Sequence, residues 1–199
     1  MEAGVARAIR AHGHDTLELE WRLGHVLGHF RPGVAEESWM RLKAELEKST
    51  AFVPSFVETH ESIGDSCKRV DEGGNVTWIR KQRVADYDVG AAVGPWTVRT
   101  SVSVDIPLPA APPTFVARFE RHKRRWSFRH LCWTVDLTRV QGNTPNQLDA
   151  DADVFEVEIE LIDRDVVLER PLDSVVAWGN ELAADVCQLM LGASSSTMG

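Results

Sequence analysis

Long apolar runs are missing from this 199-residue chain. None approaches 18 residues, so no segment reads as a membrane-spanning helix and no membrane partner is expected. The polar opening from Met1 to Asp15 has no apolar core, so no secretory signal is visible. Cysteine is scarce. Cys67, Cys132 and Cys187 are odd in number, far apart and not in a CxxC arrangement. That argues against a disulfide framework or a zinc knuckle and makes a reducing compartment, cytosol or nucleus, the expectation. Cations are outnumbered, 22 Lys and Arg against 30 Asp and Glu, for a net charge of −8. Such a balance argues against indiscriminate coating of nucleic acid but leaves room for a local basic site. There is no P-loop, no dinucleotide-binding glycine fingerprint and no nucleophile elbow. His25 and His29 stand four apart without the glutamate of a zinc-protease helix, and each follows a glycine, so they read as loop histidines.

What is present is a globular composition, 43% apolar and 26% charged, which excludes a disordered or low-complexity chain. The length suits one domain, expected over residues 1–193, with 194–199 as a flexible tail. Two segments carry helical periodicity. One runs from about Ala35 to Lys48 with a stripe of Ala35, Trp39, Leu42 and Leu46. The other runs from about Ser174 to Leu191, with a stripe of Val175, Trp178, Leu182, Val186 and Leu189, a cap at Asp173 or Ser174, and Gly192 ending it. The remainder reads as strands: Leu17–Leu23, Phe52–Ile63, Ser66–Asp71, Val76–Val84, Trp96–Ile106, Thr114–Arg121, Arg124–Cys132, Trp133–Val140 and Val154–Ile162. Glu72-Gly73-Gly74-Asn75 signals a hairpin, and Gln141 to Asp153 a polar loop. So many strands without intervening helices predict an antiparallel sandwich or closed barrel, not a parallel sheet.

Strand alternation carries the chemistry. Glu156, Glu158 and Glu160 share one face of their strand, and Phe155, Val157, Ile159 and Leu161 the other. Glu18, Glu20 and Arg22 likewise oppose Leu17, Leu19, Trp21 and Leu23. Glutamate is depleted in strands, and like charges roughly 7 Å apart on one face repel. Holding that pattern twice calls for cations. Arg121, Lys123 and Arg125 alternate on one face of another strand, and Arg69, Lys81 and Arg99 lie on further strands. An antiparallel barrel with apolar residues outward under helices and charges inward accommodates all of them. Its carboxylates would hold a divalent metal, and its Arg and Lys side chains would hold phosphate oxygens. Unpaired buried carboxylates are costly, so each half needs the other.

Four motifs occur in order. They are ExExxxG from Glu18 to Gly24, RxKxR from Arg121 to Arg125, DLTxV from Asp136 to Val140 and ExExE from Glu156 to Glu160. Through this ordered set the chain resembles the metal-dependent mRNA 5′-triphosphatases of fungi, protozoa and some viruses, within the triphosphate tunnel metalloenzyme superfamily. The resemblance implies a mainly β (α+β) fold: a closed eight-stranded antiparallel barrel around a hydrophilic tunnel, with a few packing helices. It implies removal of the γ-phosphate from triphosphate-ended RNA, the first step of mRNA capping, with nucleoside triphosphates as further substrates. It implies Mg²⁺ or Mn²⁺ on Glu18, Glu20 and Glu160, and phosphate contacts from Arg69, Lys81, Arg121, Lys123 and Arg125, with Arg99 on a further family strand. Glu156 and Glu158 would orient basic side chains and water, and Asp136 and Thr138 would brace the site. The family usually has glutamate where Asp105 stands. In the mechanism the residues suggest, Arg125 and Lys123 neutralise developing charge, and Glu158 or Asp105 orients an in-line water.

Two other readings stand beside it. One is a tunnel enzyme for inorganic triphosphate, polyphosphate or small organic triphosphates. The other is a non-catalytic barrel that binds an anion or RNA end. The RxKxR and DLTxV segments favour the mRNA class over the first, and the full set of metal-binding glutamates argues against the second. No guanylyltransferase-like segment is visible, so an RNA guanylyltransferase on another polypeptide is the expected partner. The family role implies the nucleus.

Overall fold

The structure, a computed structural model, describes residues 11, 13–91, 93–142 and 152–192. The expected tail and most of the expected polar loop lie outside the described residues. A 3-10 turn at His14–Thr16 leads into nine strands and three helices among the described residues. The strands are β1 (Leu17–Leu27), β2 (His29–Pro32), β3 (Val53–Ile63), β4 (Cys67–Asp71), β5 (Val76–Gly90), β6 (Thr97–Leu108), β7 (Phe119–His130), β8 (Trp133–Gly142) and β9 (Val154–Leu161). The helices are α1 (Glu36–Lys48), α2 (Val166–Glu169) and α3 (Leu172–Leu191).

Every strand pairing is antiparallel, in the order β1-β6-β5-β4-β3-β7-β8-β9, and β9 pairs back onto β1. Eight strands therefore close into a barrel, as expected, and β2 adds to β1 as an outlying hairpin arm. Closure removes the free edges that an open sheet would expose.

The barrel has its apolar core on the outside. Leu17, Leu19, Trp21 and Leu23 of β1 are buried, as are Val98 and Val102 of β6, Val135 and Leu137 of β8, and Val157, Ile159 and Leu161 of β9. They form one cluster with Trp39, Leu42 and Leu46 of α1 and Val175, Ala183, Val186, Cys187 and Met190 of α3. Burying a large apolar side chain such as Leu42 or Met190 contributes about 1.5–3 kcal/mol, so this layer is what holds the wall together. The two helices cover only half of the barrel. The outer faces of β3 and β5 are largely exposed, including Phe56.

Several expectations need correction. The predicted strands Thr114–Arg121 and Arg124–Cys132 are one strand, β7, because it pairs without interruption with β3 from Ile63↔Phe119 to Val53↔Arg129. The polar His122 and Arg124 do not interrupt it because its outer face there is not covered by a helix. The strand expected to end at Val84 continues to Gly90 past a bulge between Arg83 and Ala85. The buried stripe of α3 is Val175, Gly179, Ala183, Val186, Cys187 and Met190, while Trp178 is exposed. Small residues face the barrel because the helix lies close to it: a Cβ on Gly179 would come within 2.2 Å of the Trp21 ring. Neither Asp173 nor Ser174 caps α3, which starts after Pro171; Gly192 ends it in the left-handed conformation, as predicted. The Glu72–Asn75 hairpin forms as expected, with the Gly74 N–H donating to the Asp71 carbonyl at 2.9 Å.

Candidate active site inside the barrel

Directly opposed residues of an antiparallel pair share a face, so the register fixes the inner wall. Glu18 and Glu20 of β1 oppose Ser103 and Ser101 of β6, and Glu20 opposes Glu160 of β9. Arg22 opposes Glu158, Glu158 opposes Asp136 of β8, and Glu156 opposes Thr138. Thr138 opposes Arg125 of β7, and farther along β7 Arg121 opposes Glu61 of β3. Glu61 opposes Arg69 of β4, and Asp105 of β6 opposes Lys81 of β5. The acidic and basic strands read from the sequence thus line one enclosed interior.

Two charge clusters result. In the first, Glu18 and Glu20 lie two residues apart on the inner face of β1, and Glu160 of β9 is directly opposite Glu20. Glu18 accepts from Ser103 Oγ at 3.1 Å and pairs with Lys81 Nζ at 2.6 Å. Burial works against its charge, but Lys81 wins and holds its carboxyl below the usual value. Glu20 pairs with Arg22, yet burial pushes its carboxyl up to about 7. Glu160 is likewise raised to about 7, by burial and then by Glu18 and Asp136. Asp105 is raised to about 6 by burial and by Glu18. Ser101 Oγ and Asp105 Oδ1 are buried here without a hydrogen-bond partner.

The second cluster is basic. Glu61, 2% exposed, has Arg69 Nε at 3.1 Å, Arg121 Nη2 at 2.6 Å and Lys123 Nζ at 3.7 Å. Burial opposes its charge, but Lys123, Arg121 and Arg69 together lower its carboxyl to about 2. Arg121 Nε is buried and unpartnered. Burial, followed by Arg121, depresses the Lys123 ammonium. Between the clusters, Arg125 is held on three sides: Asp136 Oδ2 at 2.9 Å, Thr138 Oγ1 at 3.2 Å and Glu158 Oε2 at 3.1 Å. The Thr134 hydroxyl donates to the other oxygen of Asp136 at 3.0 Å. Glu158 also has Arg22 Nε at 3.1 Å, and against its burial the two guanidiniums keep it well below the usual carboxylate range.

The register puts every residue singled out from the sequence on the inner wall, Arg99 included, opposite Arg22. Arg99 is nevertheless engaged away from the two clusters. Its fork is occupied by Asp88, at 2.6 and 2.7 Å, and its guanidinium lies 4.4 Å from the Phe30 ring centroid. The β5 bulge turns Asp86 and Asp88 inward, since they oppose Ser101 and Arg99. Sequence reasoning missed Glu61, because Glu58 and Glu61, three apart in Phe52–Ile63, fall on opposite faces of a strand and show no pattern until the register against Arg69 and Arg121 is known. It also left Arg22 unassigned, although its parity with Glu18 and Glu20 was visible.

This geometry has counterparts in known proteins. Over 187 residues the chain is 27% identical to the 5′ RNA triphosphatase of Paramecium bursaria Chlorella virus 1, spanning 92% of this chain and 94% of that protein. Over 95 residues, 47% of this chain and 23% of its counterpart, it is 35% identical to the mRNA-capping enzyme subunit beta of Cryptococcus neoformans. Among solved structures, the S. pombe Pct1 RNA triphosphatase superposes with a TM-score of 0.67 at 14% identity, over 96% of this chain and 91% of that one. The Mimivirus capping enzyme triphosphatase gives 0.61 at 16% identity, over 96% of both chains. At those identities the likeness is one of fold. The family described as mRNA capping enzyme, beta chain, matches residues 66–188, more than half of the sequence, and the chain belongs to that family.

Proposed function

We propose that this chain hydrolyses the γ-phosphate of triphosphate-ended RNA, leaving the 5′-diphosphate to which a cap is added. The observation that carries the reading is the closed interior in which Glu18, Glu20 and Glu160 face the same space as Arg69, Arg121, Lys123 and Arg125. A triphosphate needs hard-cation support and several fixed donors, and phosphoryl transfer is mostly positioning and charge stabilisation.

The carboxylates fit a divalent metal. All three are hard oxygen donors, two of them are pushed up to about 7 by burial, and Ser101 Oγ beside them is buried and unpartnered. Glu18, Glu20 and Glu160 would hold Mg²⁺ or Mn²⁺, which acts as a Lewis acid toward a γ-oxygen when bound. Arg69, Arg121 and Lys123, gathered by Glu61, bind the polyphosphate, with the unpartnered Arg121 Nε as a further donor. Lys81 binds it from the acidic side. Arg125, fixed by Asp136, Thr138 and Glu158, neutralises charge on the transferred phosphoryl group without having to reorganise. Asp105 suits the attacking water better than Glu158: it has a free buried oxygen and a carboxyl near 6, whereas Glu158 is committed to two guanidiniums. Glu156 supports the basic wall from beside Thr138.

One catalytic domain over residues 1–193, action in the nucleus and an RNA guanylyltransferase partner complete the proposal. The test is phosphate release from triphosphate-ended RNA with and without Mg²⁺ or Mn²⁺. Release that requires the metal and leaves diphosphate ends is expected. No release with either metal, or pyrophosphate as the product, would overturn it.

A further inference from the structure

The uncovered half of the barrel carries a cluster with different chemistry. On the outer face of β3 and β7, His60 and His122 are directly opposed across the strand pair. Their rings stack with centroids 4.4 Å apart and planes 6° from parallel. Glu58, two residues before His60 on the same face, reaches His122 Nε2. A ligand atom from each of the three lies within 4.8 Å of the others, the only such group of His, Cys, Asp or Glu among the described residues. No helix covers this face: His60 is exposed and Glu58 and His122 are half-buried. The neighbouring residues Thr59, Glu61, Arg121 and Lys123 point the other way, into the barrel, so the cluster is separated from the tunnel by one strand thickness.

We propose that Glu58, His60 and His122 form a surface binding site for a borderline divalent transition cation, with Zn²⁺ as the representative. Two neutral imidazoles and one carboxylate match the nitrogen-rich ligand preference of Zn²⁺ and Cu²⁺ and leave positions open for water. The same set is a poor match for Mg²⁺, which prefers oxygen in a rigid octahedron. Extended strands fix the Cβ positions, so on the histidine side ligation requires the two rings to rotate out of their stack, which the exposure of His60 allows. Arg124, whose Nε lies 3.5 Å from Glu58 Oε1, is the internal competitor for the carboxylate and must be displaced from it. The Glu58 backbone N–H donates to Glu72 Oε1 at 3.0 Å, which ties the carboxylate-bearing strand to the start of the β4–β5 turn.

The experiment is calorimetric titration of the full chain with Zn²⁺ in excess Mg²⁺, alongside electron paramagnetic resonance of added Cu²⁺. Wild type is expected to take up one Zn²⁺ per chain at this site and to show nitrogen hyperfine coupling from two imidazoles. His60→Ala and His122→Gln should each weaken that binding at least tenfold and change the coupling, with Mg²⁺-supported triphosphatase activity unchanged. Glu20→Ala, in the tunnel, should leave the site intact. Because His60 is exposed, its variant tests the assignment even if His122→Gln folds poorly. Unchanged Zn²⁺ affinity and Cu²⁺ spectra in the folded His60→Ala variant would overturn the assignment, as would loss of the site in Glu20→Ala.

Discussion

Arg125 shows how much of the site is decided by single side chains. Its guanidinium satisfies acceptors from Asp136, Thr138 and Glu158 at once. An ammonium cannot reproduce that planar fork, so Arg125→Lys is expected to lower turnover at least tenfold while the protein stays folded. Steady-state kinetics with a parallel circular dichroism spectrum check both halves. Glu61 has the opposite role, as the anion that gathers three cations. Removing one partner of a buried charge cluster typically costs 3–5 kcal/mol, so Glu61→Gln should lower the urea midpoint markedly. Its carboxyl lies at about 2 in the fold against an ordinary 4.5. The folded value is depressed, so its stabilisation is full above about 4.5 and is lost as pH falls toward 2, an effect on the order of 3 kcal/mol. Denaturant curves between pH 2 and 5 should show that loss in wild type and a flatter profile in Glu61→Gln. Glu20 and Glu160 run the other way, raised to about 7. The fold binds protons there that the unfolded chain releases, so the metal-free protein should lose stability as pH rises from about 4.5 through 7. Added Mg²⁺ should reverse the loss and expel protons. Metal-free stability that rises across this window would contradict the assignment.

Among the elements, α3 is the most finely fitted. The helix rests on the Trp21 ring through Gly179, and Trp21 Nε1 donates to Asn180 Oδ1 at 2.9 Å on the next residue. Alanine normally favours a helix over glycine by about 1 kcal/mol. Here the added methyl has no room, so Gly179→Ala should destabilise instead, by about 1–3 kcal/mol. A raised thermal midpoint in that variant would show that the helix moves aside freely. Because Trp21 alternates with Glu20 and Arg22 along β1, a shift of this helix should also reach the tunnel, measurable as weaker Mg²⁺ binding.

At the scale of the whole molecule, the barrel is built with polarity reversed: charges inside, the hydrophobic layer outside beneath α1 and α3. The interior is lined by charge, and the aromatics in the middle of β7 face outward. Trp126 packs edge-on against Trp39, with centroids 5.4 Å apart, and Phe128 is buried in the outer core. Phe119, at the start of β7, is the one aromatic of that strand on the face of Arg121, Lys123 and Arg125, so the triphosphate tail is expected to carry most of the recognition. Inorganic triphosphate should compete with RNA, nucleoside triphosphates should be hydrolysed with a suitable metal, and the first transcribed nucleotides should matter little. A strong dependence on those nucleotides in competition assays would require an RNA-reading surface outside the tunnel.

Alternation along the strands determined which side chains share a face: Glu18 with Glu20, Arg121 with Lys123 and Arg125, and Glu156 with Glu158 and Glu160. The stripe of α1 and the ordered motifs were equally legible, whereas the buried face of α3 was not, because its small residues give no apolar signal. Tertiary structure decided what period two cannot encode, namely which strand lies beside which and in what register. Only closure of β9 onto β1 sets Glu160 against Glu20, and only the β3 register sets Glu61 among Arg69, Arg121 and Lys123. The bulge after Arg83 reverses the parity of β5, which sets Asp88 opposite Arg99 and pairs the two. A strand's own sequence fixes its two faces through backbone geometry, but the neighbours of each face come from residues far away in the chain, and those arrive only when the barrel closes.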